Sequence, residues 1–114
     1  QIIRAGMESI GYLTNDILKC MMQAELKIPK LLTASGGAGR PTLLQFISNL
    51  SDIEIGYSAI KDRTAIGVYK ILCGDYSNDD DEVKFQKKFL PKTLPYKKEK
   101  LNKWHQTLID NKIK

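Results

Sequence analysis

Residues Pro41–Leu72, PTLLQFISNLSDIEIGYSAIKDRTAIGVYKIL, form the densest apolar segment of the chain, so the reading of this stretch decides the fold. Pro41 suits the first position of a helix, where its missing N–H costs nothing. From there Leu43, Leu44, Phe46, Ile47 and Leu50 make a broad apolar face, which predicts a helix to about Leu50. Ser51-Asp52-Ile53-Glu54 then has the form of a capping box and predicts a second helix from Asp52 to about Ile60. Thr64 can cap a third, from Ala65 to about Cys73. The competing pattern is a β-hairpin over 53–72. Ile53, Ile55, Tyr57 and Ala59 alternate with Glu54, Gly56 and Ser58, and 65–72 is rich in β-branched residues and Tyr.

With helices preferred, 52–72 takes a helix-turn-helix shape. Gly56 is its small residue, Ile55, Ala59, Ile66 and Tyr69 its core, and Arg63, Thr64 and Lys70 its outward face. The unit is neutral, with three basic and three acidic groups, whereas a DNA reader usually shows a basic face.

Working outward, the Gly-rich run 35–40, Ser35-Gly36-Gly37-Ala38-Gly39-Arg40, precedes the core unit 41–73. It matches neither the P-loop pattern nor the dinucleotide fingerprint, and no clear strand is legible before it. A flexible linker or hinge is expected, with Arg40 placed to meet a phosphate at the mouth of the next helix. Before it, residues 4–27 read as an amphipathic helix whose core stripe is Ile10, Leu13, Ile17, Cys20 or Met21, and Ala24. Pro29 breaks that helix, and a short turn over Pro29–Thr33 follows. The Met21–Met22 pair is expected in the core.

Downstream, Gly74 ends the core unit and an acidic loop spans 75–82. Its Asp79-Asp80-Asp81-Glu82 run lacks a calcium-loop pattern and suits the start of a helix over Val83–Leu90. The last helix, Lys97 to about Ile113, carries Leu101, Trp104 and Leu108 on one stripe and docks through Trp104. The expected fold is therefore mainly α, a small single-domain bundle of about five helices. The α+β alternative carries the hairpin at 53–72.

One domain is what 114 residues allow. A first residue other than Met, Gln1, is read as a sign that this domain is a fragment of a longer chain. An apolar content of 42% with 27% charged residues fits an ordinary globular protein, and no run is long enough to span a membrane. Cys20 and Cys73 have no CxxC-type partner and are expected as buried thiols of an intracellular protein.

The net charge of +5 is distributed unevenly: +2 over 1–50, −5 over 51–82 and +8 over 83–114. The basic third contributes Lys84, Lys87, Lys88, Lys92, Lys97, Lys98, Lys100 and Lys103, with Tyr96 and Trp104 as rings available to stack on bases. Fifteen lysines against three arginines favour diffuse attraction over bidentate base reading. The single histidine, His105, has no nucleophile or zinc-ligand pattern around it, so no enzyme, metal or cofactor is called for. The expected function is a non-enzymatic module that binds nucleic acid through Arg40, Arg63, Lys70, the lysines named above and Trp104. The alternative is a protein-interaction domain of a viral or phage polypeptide, such as a nucleocapsid- or polymerase-associated adaptor, docking an acidic protein surface. No membrane is involved in either reading.

Overall fold

The computed structural model describes residues 1–60, 62–74 and 85–111. Its elements are α1 (Ile2–Gln23), β1 (Leu31–Ser35), a single 3-10 turn (Gly36–Ala38), α2 (Pro41–Ser51), β2 (Glu54–Ser58), α3 (Arg63–Leu72), β3 (Lys87–Phe89) and α4 (Lys97–Asp110). The molecule is mainly helical with a small sheet, in place of the five-helix bundle expected. Among the described residues there are four α-helices and three strands.

The sheet runs in the order β1-β2-β3. β1 and β2 are parallel, with Leu31 opposite Glu54 and Ser35 opposite Ser58, and α2 is the crossover between them. β3 returns antiparallel to β2, with Phe89 opposite Ile55. Leu43, Leu44 and Ile47 of α2 bury themselves on Ile55 and Phe89, and Leu32, Ala34 and Tyr57 pack against this cluster. Ser48 is fully buried within it. Its hydroxyl lies 2.8 Å from the Ile53 carbonyl oxygen and 3.1 Å from that of Phe89, so its one proton serves the ends of two strands. On the other side of α2, α1 approaches closely at Gly11, whose missing side chain makes room for the Phe46 ring. Tyr12 meets that ring edge-on, with centroids 5.6 Å apart.

Three expectations about 52–72 need correction. Residues 52–60 are not a helix. Ser51 caps none, because the chain turns at Asp52 and enters β2; Ser51 is the last residue of α2, and its hydroxyl donates to the Ile47 carbonyl 2.8 Å away. Asp52 then takes the left-handed conformation at φ 58°, and the chain leaves α2 straight into β2. The helix-turn-helix therefore does not exist. The hairpin alternative holds for its first arm only, since 63–72 is helical.

Further along the chain, a strand replaces the turn expected at 29–33, and another, β3, falls where a helix over 83–90 was expected. The acidic run 79–82 lies outside the described residues. α1, α2 and α4 occur where periodicity placed them. The face of α1 is reversed, however: Gly11, Tyr12, Asn15 and Leu18 are buried, while Ile10, Leu13 and Ile17 are exposed. Cys20 and Cys73 are exposed free thiols, and Met22 is exposed too. No helix among the described residues is long and apolar enough to cross a membrane.

Candidate functional site: a glycine turn at the end of a parallel strand

The Gly-rich run is not a free linker. It is the turn by which β1 hands the chain to α2, and the strand before it is the element that sequence patterning left unread. LLTAS is too short and too weakly alternating to announce itself. Its pairing with the β-branched and aromatic run of β2 is what fixes it.

Each residue of the turn has a local reason. Ser35 is still extended, at φ −150°. Gly36 turns the chain in the left-handed region, at φ 63°, which glycine enters without strain. The Gly39 N–H then donates to the Gly36 carbonyl at 3.0 Å and closes the turn. The Tyr57 ring of β2 covers Gly39 so closely that a Cβ there would sit 2.3 Å from Cε2. A Cβ on Gly36 or Gly37 would meet nothing within 4 Å, so the other side of the turn is open to an incoming group.

Arg40 is exposed at the mouth of α2, and Pro41 is the first helical residue. No side chain caps this helix start. The first-turn amides of α2 and its positive dipole end therefore face outward beside the open glycines, an arrangement suited to an anion such as a phosphate. Next to it, Thr42, Leu43 and Phe46 line a cavity of about 510 Å³ shared with Ile3, Arg4, Met7 and Glu8 of α1. Arg4 and Glu8 pair at 2.9 Å on its wall. Among the described residues, no cluster of three His, Cys, Asp or Glu side chains could hold a metal ion.

The other expected site residues are scattered, and several already have partners. Lys97 pairs with Asp52 at 2.7 Å, Lys88 with Glu54 at 3.4 Å and Lys100 with Glu8 at 4.0 Å. Lys87 lies 5.2 Å from the centre of the Phe89 ring, and Lys88 lies over Phe85. Lys92, Lys98 and Lys103 are exposed on the β3–α4 connection and on α4. Arg63 opens α3 and Lys70 sits in its last turn. Lys84 is outside the described residues.

Trp104 is half-buried and has one ring face occupied by the molecule itself. It stacks on Tyr12 at 5.3 Å, and its indole N–H donates to Asp16 Oδ2 at 2.9 Å. His105 Nε2 lies 2.8 Å from the other oxygen of the same carboxylate. The phenol of Tyr12 is held above its ordinary pKa, first by burial and then by the neighbouring Glu8 carboxylate. These aromatic and acidic groups form a seam that holds α4 on α1.

No family model matches the chain. It is similar to the glycerol kinase of Clostridium botulinum strain Hall, with 34% identity over 115 aligned positions, covering 94% of this chain and 23% of the relative. The glycerol kinase of Desulfitobacterium hafniense is 33% identical with the same two coverages, and that of Pseudomonas entomophila is 29% identical over 96% of this chain. These relatives are named as enzymes, which overturns the expectations of a non-enzymatic module, of nucleic-acid binding and of a viral protein. The chain spans under a quarter, 23%, of the length of the curated relatives it matches.

Proposed function

We propose that this chain is one segment of an enzyme that transfers a phosphoryl group to glycerol, and that its β1–glycine turn–α2 unit contributes a phosphate-facing part of the nucleotide site. The observation that carries the reading is the similarity to glycerol kinases along 94% of the chain. The glycine turn supports it from the structure. Open glycines at the end of a parallel strand, followed by an uncapped helix start, are the local means by which α/β proteins hold phosphate oxygens. Arg40 would add a charge at the same mouth. The acceptor's site and the remaining phosphate contacts would come from other parts of such an enzyme.

The test is a chimera in which this chain replaces the matching stretch of the Clostridium botulinum glycerol kinase. Glycerol-dependent consumption of ATP is expected, with Gly37→Val raising KM for ATP at least tenfold and leaving KM for glycerol nearly unchanged. A folded chimera that transfers no phosphate to glycerol would refute the reading.

A further inference from the structure

We propose that the outward stripe of α1, Ile3-Ile10-Leu13-Ile17, is a docking face for the remainder of the glycerol kinase-length polypeptide of which this chain spans under a quarter. The inference rests on the reading in the preceding subsection and adds to it the surface through which the segment joins the rest of the enzyme.

The spacing of seven, three and four residues aligns the four side chains along one line of the helix. At 100° per residue, this line lies about 150° around the axis from the buried face of Tyr12, Asn15 and Leu18. The four side chains are 78%, 49%, 51% and 62% exposed. A helix that is apolar on two opposite faces belongs between two layers, and among the described residues the ring contacts of α1 are with α2 and α4, on its buried face.

Two further observations point to a missing neighbour of the same kind. β1 stands at the edge of the sheet and, among the described residues, pairs only with β2. Parallel sheets are normally covered on both faces, and an edge strand presents unpaired backbone groups to which a further strand can add. The radius of gyration is 16.3 Å, where a compact chain of this length would have about 13 Å, and with extents of 49 × 29 × 24 Å the segment is elongated rather than closed on itself. The occupant is identified by length: the match covers 23% of the relative, so about three times the matched length lies outside it, which is ample chain to form the second layer. Its contacting surface must be apolar, because no charged side chain belongs to the stripe it would cover.

The experiment compares Leu13→Lys/Ile17→Lys in the 114-residue chain alone and in the chimera with the Clostridium botulinum enzyme. Lysine keeps the helix propensity of the replaced residues, so the isolated chain should melt within a few degrees of its parent. In the chimera the same pair should lower the melting temperature by 10 °C or more and raise protease cleavage of this stretch at least tenfold. An unchanged chimera overturns the proposal, as does an inserted stretch that is cleaved as fast as the free chain. A dimer of the isolated chain that the substitutions dissociate also overturns it, because the face would then belong to a second copy. Phosphate transfer is scored separately: a protected, substitution-sensitive chimera without transfer keeps the interface and overturns the activity.

Discussion

Alanine at Gly11 and alanine at Gly6 should move stability in opposite directions, although both replace a glycine within the same helix. On propensity alone each substitution should stabilise α1 by about 0.8–1 kcal/mol. At Gly6 nothing lies within 4 Å of the new Cβ, so this gain should appear nearly whole. At Gly11 the Cβ would fall 2.5 Å from Phe46 Cδ1 and 2.6 Å from Cε1. Those are atoms of a ring wedged between α1 and α2, not the free end of a flexible chain. Relieving the overlap means moving the ring or the helix, and overpacking of that kind costs about 1–3 kcal/mol. Sterics therefore outweigh propensity. Gly11→Ala should be about 1 kcal/mol less stable than the parent and about 2 kcal/mol less stable than Gly6→Ala. For a chain of this size, that gap corresponds to roughly 8 °C in melting temperature. Thermal unfolding followed by circular dichroism at 222 nm measures both variants. A Gly11→Ala protein that melts as high as Gly6→Ala would refute the close approach of α1 to α2.

Ser48→Ala leaves two buried carbonyls without their shared donor and should cost about 1–3 kcal/mol in urea unfolding, although it removes a single atom. Lys97→Ala breaks the ion pair between α4 and Asp52, the residue that follows α2, yet the Asp52 side chain is 74% exposed; the loss should stay under about 1 kcal/mol and shrink further in 1 M salt. Gly36→Ala should cost about 1–2 kcal/mol through its left-handed backbone alone, with no lost contact to account for it. The pKa of Tyr12 is raised in the folded state, so the neutral phenol is favoured there. Its contribution to stability is complete below the unfolded value near 10 and is lost as the pH climbs through the folded value. Absorbance at 295 nm should show a late-ionising component that Tyr12→Phe removes, and that variant should lose less stability above pH 10.

Long helices with a strong stripe or a proline start were legible in the sequence. α2 begins at the proline that marks it, and α4 at the lysine run. The strands were not, for a shared reason. β1, β2 and β3 are five, five and three residues long, and each is defined by its neighbours rather than by its own pattern. Ser51 shows how a local signal misleads. The residues of a capping box were present, but α2 runs through Ser51 and the chain turns left-handed at Asp52 into β2, so no helix follows for Ser51 to cap. The stripe Ile10-Leu13-Ile17 was read correctly as apolar and assigned to the wrong partner, because periodicity gives the face and not the direction it looks. The glycine turn was read as a linker or hinge because it matches neither phosphate-binding pattern and no strand was legible before it; the parallel pairing of β1 with β2 supplies that strand. The lysine-rich third could not be sorted by charge alone. Only geometry shows that Lys88, Lys97 and Lys100 face carboxylates of the same molecule.

The seam between α1 and α4 gives the molecule a built-in optical probe. Its one tryptophan, Trp104, is stacked on Tyr12 and tethered to Asp16, so its emission responds to the lifting of one helix before it responds to the melting of the sheet. α4 has no fully buried residue, so it should detach at lower denaturant than the Leu44 core unfolds. Fluorescence and far-ultraviolet dichroism would then trace two separate curves, and the distance between their midpoints would measure the strength with which the Tyr12–Asp16 seam and the ion pairs of Lys97 and Lys100 together hold a fourteen-residue helix in place.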